Sequence, residues 1–370
     1  MSFPSGRDPV TGVTISDVAP GPQSRHHLPF SPFTTTSDGG RVVFVAREEG
    51  LADLMVAGLP GTGGPEGGER RLTNRRGVNP FSGVITADDL AVLFTAGDSV
   101  CGVTIADGAE SLLAGFPEGR PGNLALSPDG RSLALTVRER DGTRLAEMDL
   151  YTANVRMVAE GGWSPAWAQY DPSGSFILLS GPAQAGVWAV SRDDGHERLI
   201  YQAAAGEWVA HPRWLDGNEA LFVKMHEGLF AASLTGAVRV LFRGPVWHPA
   251  VRADSRLVVF DTRDPDLGLV LVSPRTCRWR VLCYPRSSGK GKRWSEVSPA
   301  PGPWNDPSVL PEGRMADWDA ETAYGPEWTH PHPVFSVDGT GVFFTSDTGG
   351  RPRIYLARIP PEWIEELVRE

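Results

Sequence analysis

Residues 127–159 read SPDGRSLALTVRERDGTRLAEMDLYTANVRMVA. The opening Ser127-Pro-Asp-Gly130 is a turn, because Asp hydrogen-bonds its own backbone and Gly tolerates positive φ. An apolar strand follows from Ser132, a second from Leu145 and a third from Val155. The unit recurs along the chain. Its turn returns as TSDG (36–39), TADD (86–89), DPSG (171–174), WLDG (214–217), RADS (252–255) and SVDG (336–339). Its first strand returns as RVVFVA (41–46), AVLFTA (91–96), FILLS (176–180), ALFVKM (220–225), LVVFDT (257–262) and VFFTSD (342–347). With the short strand before each turn, every unit supplies four antiparallel strands. Four-stranded units repeating every roughly 40 residues predict a β-propeller, here an all-β fold of seven blades.

The seventh unit ends after its third strand, and only a tail (361–370) follows. The missing outer strand is expected from the N-terminus, GVTISDV (12–18), which closes the ring and protects its edges. One step between turns is 84 residues long. Its polar, Pro- and Trp-rich stretch (284–326) reads as an insertion between blades six and seven of a single-domain chain. A degenerate eighth blade is the rival reading.

Composition narrows the function. With 41% hydrophobic and 22% charged residues the 370-residue chain is globular. No stretch reaches the roughly 18 apolar residues of a membrane span. The N-terminus has no apolar core of a secretory signal. Cys101, Cys277 and Cys283 are too few and too scattered for a disulfide framework or a zinc knuckle, so a reducing cytoplasm is the expected home. A net charge of −10 argues against nucleic-acid binding. A closed propeller needs no partner for its edges, so a monomer is expected.

In a propeller the first strand of each blade lines the central channel. Aligned at the start of that strand, the blades give His26-His27, Asn79, Asn123, Ser164, His211, His248 and His330-Pro-His332. Six of the eight histidines occupy this position, and four consecutive blades of a closed ring carry them. Several imidazoles and a carboxylate, Glu327, suit a divalent transition metal. His26, His27 and Asn79 are the expected substrate contacts at the same mouth. Trp163, Trp167, Trp208, Trp214, Trp247 and Trp328 flank the same strands and read mostly as inter-blade core. The basic run 286–293 reads as a solvated loop. There is no Gly-x-Ser-x-Gly elbow, Walker sequence or Gly-x-Gly-x-x-Gly.

Residues 327–363, EWTHPHPVFSVDGTGVFFTSDTGGRPRIYLARIPPEW, and 25–40, RHHLPFSPFTTTSDGG, resemble blades seven and one of the oligogalacturonate lyases, seven-bladed propeller enzymes of pectin breakdown. The resemblance implies a manganese-type centre at His248, His330 and His332, with Glu327 where the family has glutamine. It implies His211 as the base of a β-elimination on a small acidic uronate. It also implies an assisting arginine, with Arg192 the first candidate and Arg213 the second. The alternatives are a divergent metalloenzyme acting on another carboxylate and a TolB-like binding propeller.

Overall fold

The computed structural model describes residues 6–48, 51–59, 68–140, 142–161, 168–181, 186–263, 265–289 and 328–369. Among them the strands form seven antiparallel sheets, six of four strands and one of five. The fold is the expected seven-bladed propeller. The turns that separate the first two strands of each blade are built as their sequences require. In blade three Ser127 Oγ donates to Asp129 at 2.6 Å and Gly130 has φ +70°. Blades two and six put Asp89 and Ser255 in the same left-handed position.

Ring closure follows the N-terminal expectation. Strand Thr14–Asp17 pairs antiparallel with Arg353–Arg358, aligning Ile15 with Ala357. Two features were not anticipated. Gly6–Arg7 adds a fifth strand outside Thr14–Asp17, and Pro361–Val368 in the tail forms a helix, α1. Pro361 suits its first turn, where a backbone N–H has no intrahelical partner anyway. Leu367 of α1 packs with Val13 and Ile15. The insertion at 284–326 lies outside the described residues except for its first six.

The buried apolar residues separate into seven clusters, one between each pair of neighbouring blades. Val42 and Phe44 of blade one meet Phe343 and Ile354 of blade seven, so packing as well as pairing closes the circle. Alternate side chains of each strand serve opposite neighbours, as the period of two demands. The axis is left to the starts of the inner strands, and there the apolar pattern gives way to histidine.

Candidate metal centre

The histidines sit where proline interrupts the ladder. His211, His248, His330 and His332 each precede a proline, which has no N–H to give to a sheet. The regular inner strands of blades six and seven are therefore only Ala250–Val251 and Val334–Phe335, beginning just past the histidines. In blade five the pairing shifts between Ala210 and Arg213, and His211 occupies the bulge. His211 and His332 adopt left-handed φ values of +53° and +44°. Such backbone costs of order 1–3 kcal/mol for a non-glycine residue and clusters at functional sites.

Three of these side chains converge. His248, His330 and His332 are all buried, and one ligand nitrogen from each lies within 4.8 Å of the others. The rings of His248 and His332 stack at 3.4 Å, and His211 lies 4.5 Å from His248. Trp247 closes one side, with its ring 5.6 Å from both His248 and His330.

Behind His248 stands Asp261, which sequence reasoning missed. Its carboxylate accepts from His248 Nδ1 at 2.9 Å and from the His248 amide at 2.7 Å. The His332 amide approaches the same group at 3.4 Å. A signal was present. Seven residues past the third residue of the turn, the second strand carries Thr95, Thr136, Ser180 or Thr345 in four blades and Val45 or Val223 in two. Only blade six has an acid there, facing a histidine.

Burial dominates the electrostatics. It pushes His211 down to about 3, with Arg213 adding to the effect. His330 is pushed down to about 4, and His248 and His332 lie well below their ordinary value. The imidazoles are thus neutral at pH 7 and able to act as ligands or bases. Burial also raises the Asp261 carboxyl, against the donors that hold it. A cation facing the imidazoles offsets that cost, since it favours the ionised carboxylate.

The donor set fits a divalent transition metal. With Nδ1–H given to Asp261, the lone pair of His248 is on Nε2, which makes no hydrogen bond among the described residues although fully buried. A buried acceptor with no donor is costly unless something else fills it. Imidazoles backed by a carboxylate are the usual first and outer shells of such ions. Glu327, the expected carboxylate ligand, lies outside the described residues.

The other expected residues divide. Arg213 lies two residues past His211 on Val209–Trp214 and acts electrostatically on both His211 and His248. Arg192 does not join them. It follows the third strand of blade four at the end away from the mouth, where Glu147 at 2.5 Å and Ser132 at 2.7 Å hold its guanidinium. The reason is a buried carboxylate in blade three that needs a cation. Arg263, missed in the sequence, lies at the cluster instead, with Nη1 3.3 Å from His330 Nε2.

His26 is buried and stacked on Trp328 at 4.3 Å, and Trp328 in turn meets the edge of His332. His27 is not placed to meet substrate, because both ring nitrogens engage protein: Thr345 Oγ1 at 3.0 Å and the His332 carbonyl at 2.6 Å. Asn79 uses its side-chain oxygen to accept from the Phe81 amide of its own turn. Trp214 lies in the core between blades four and five. Trp208 and Trp247, edge to face with each other, pack against the core between blades five and six, with Trp247 6.4 Å from His211. Trp163 and Trp167 lie outside the described residues.

No family model matches the chain. Two curated relatives do: the oligogalacturonide lyase of Pectobacterium atrosepticum and the oligogalacturonate lyase of Dickeya dadantii. Each is 22% identical over 97% of both chains. Among solved structures, an oligogalacturonate lyase in complex with manganese superposes with a TM-score of 0.75 at 22% identity, covering 98% of this chain and 97% of its own. The oligogalacturonate lyase of Vibrio parahaemolyticus gives 0.76 at 20% identity, covering 98% of both chains. The chain thus resembles oligogalacturonate lyases over 97% of its length and shares their fold.

Proposed function

We propose that this protein is a metal-dependent lyase that cleaves oligogalacturonate, or a closely related small uronate, by β-elimination at the mouth of its channel. One observation carries the reading: three buried histidines from two adjacent blades converge within 4.8 Å, with Asp261 behind one and His211 beside them. Homology to oligogalacturonate lyases over 97% of the chain supports the same reaction. His248, His330 and His332 hold a divalent ion, most simply Mn2+. Once bound, it supplies a Lewis acid for the substrate carboxylate.

His211 takes the proton from C5 of the uronate. The C–H electron pair becomes the C4–C5 double bond, and the C4–oxygen bond breaks with its pair leaving on the glycosidic oxygen, which takes up a proton from water or from the His211 imidazolium. Its depressed pKa keeps the ring unprotonated, and an anionic substrate beside it raises its basicity towards a useful range. Arg213 and Arg263 bring positive charge to the two sides of the cluster and orient the carboxylate. This local charge matters because the net charge of −10 gives no long-range attraction for a polyanion. Three cysteines, all free, agree with action in the cytoplasm, and a ring closed by its own N-terminal strand agrees with a monomer.

The test pairs two readouts on wild type and His332→Ala. After loading with manganese and desalting, wild type retains about one ion per chain and the variant none. With digalacturonate, wild type generates the ultraviolet absorbance of an unsaturated uronate. Metal without that absorbance would redirect the reading to another carboxylate substrate. Neither metal nor absorbance would leave a binding propeller.

A further inference from the structure

His332 is a ligand whose backbone needs as much support as its ring. Its left-handed φ of +44° is unfavourable for a residue with a Cβ. It is 2% exposed, so its carbonyl requires a buried donor. The ladder does not provide one, because the amide of Thr345 donates to Pro331 instead, at 3.0 Å. The donor comes from the next blade. His27 Nε2 lies 2.6 Å from the His332 carbonyl, while Nδ1 lies 3.0 Å from Thr345 Oγ1. Both partners belong to blade seven, and His27 belongs to blade one.

The chemistry allows only one arrangement for a neutral ring. A carbonyl accepts and cannot donate, so Nε2 carries the proton. Nδ1 then accepts, and the Thr345 hydroxyl donates to it. Thr345 thereby selects the tautomer that can hold the carbonyl. On the other side of the same residue, the His332 amide faces Asp261. His332 is gripped at both its peptide groups, and its Cα–Cβ direction, which aims the imidazole at His248, is fixed by that grip.

We infer that His27 is a positioning residue for the metal centre, acting across the blade-one to blade-seven seam by hydrogen bonding to the backbone of His332. The inference rests on the reading of His248, His330 and His332 as metal ligands. It assigns His27 a role in affinity for the ion and no contact with substrate. Outer partners that orient a ligand typically change metal affinity about 10–100-fold when removed.

The experiment is a calorimetric titration of the purified chain, freed of metal, with Mn2+ and Co2+. His27→Phe keeps a ring but loses the donor, and is expected to bind both ions about 10–100-fold more weakly than wild type. His27→Gln places an amide N–H where Nε2 was and is expected to stay close to wild type. Thr345→Val, which frees the tautomer without removing His27, is expected to fall between them. The visible spectrum of the Co2+ form should shift in His27→Phe and be preserved in His27→Gln. Melting of the metal-free variants checks that each is folded.

Wild-type affinity in His27→Phe overturns the inference alone. A loss in His27→Gln as large as in His27→Phe also overturns it, by making ring packing the cause. A wild type that binds neither ion removes the metal reading and the inference together.

Discussion

Asp261 holds His248 by two separate bonds, one from the backbone amide at 2.7 Å and one from ring Nδ1 at 2.9 Å. The first fixes where the residue sits and the second fixes which nitrogen faces its neighbours. A carboxylate that only accepts forces Nδ1 to carry the proton and leaves the lone pair on Nε2, the atom available to a metal. In Asp261→Asn the amide can present its N–H to the ring and favour the wrong tautomer. The expected result is about 10–100-fold weaker Mn2+ affinity, read by titration of the metal-free chain.

His211→Ala separates catalysis from metal binding. The expected outcome is full metal content with a loss of kcat of about 10²–10⁴-fold on digalacturonate, the usual contribution of a general base. Loss of metal together with activity would instead place His211 among the ligands.

The two candidate arginines should fail in different ways. Arg213→Ala is expected to lower kcat/KM by removing charge beside His211, with melting little changed. Arg192→Ala is expected to lower the melting temperature, because it takes one of two arginines from the buried Glu147 carboxylate. Removing a partner from a buried ion is more damaging than the pair's net contribution suggests.

Acid should unfold the protein early. His26, His27, His211, His248, His330 and His332 are buried with pKa values lowered by desolvation, His211 to about 3 and His27 and His330 to about 4. In the unfolded chain they titrate near 6.5. The unfolded state therefore binds more protons at any pH below about 6.5, and stability rises with pH through that interval. Each histidine adds nothing to the slope above 6.5, and below it costs up to about 1.4 kcal/mol of stability per pH unit until the folded-state group also takes up its proton. Chemical denaturation of the metal-free chain at pH 7.5, 6 and 5 measures it. A flat profile would mean that the histidines are hydrated and not buried.

Ile15 reports on closure. It is 1% exposed, in the strand that completes blade seven. Ile15→Ala is expected to cost about 2–5 kcal/mol in denaturant unfolding, as a truncated core side chain does.

How far the sequence could be read followed from what repeats. The turn at Ser127–Gly130 and the alternating strands recur with every blade, so blade number, strand order and the use of Thr14–Asp17 as the closing strand were legible. The register of the inner strands was legible too, because His-Pro breaks a ladder wherever it occurs. That register brought His248, His330 and His332 together. What the repeat does not carry is the partner that a single side chain finds. Arg192 looked like an assisting arginine, but it is claimed by a carboxylate of another blade, 45 positions earlier in the chain. His27 looked like a substrate contact in a row of histidines, but a carbonyl 305 residues away takes its Nε2. Asp261 ends an apolar strand and reads as a strand terminus until its cross-strand partner is known.

The closing strand has a consequence for biosynthesis. Thr14–Asp17 leaves the ribosome more than 330 residues before its partner Arg353–Arg358. Throughout translation that early strand has an open edge, and blade one lacks the neighbour that packs against Phe44. His330 and His332 emerge 23 and 21 residues before that partner strand begins. A chain not yet extended to His330 thus holds only His248 of the three proposed ligands and lacks the cluster an ion would need. On the proposed reading, ion capture is therefore coupled to ring closure, because the blade that carries His330 and His332 is the one that Thr14–Asp17 completes.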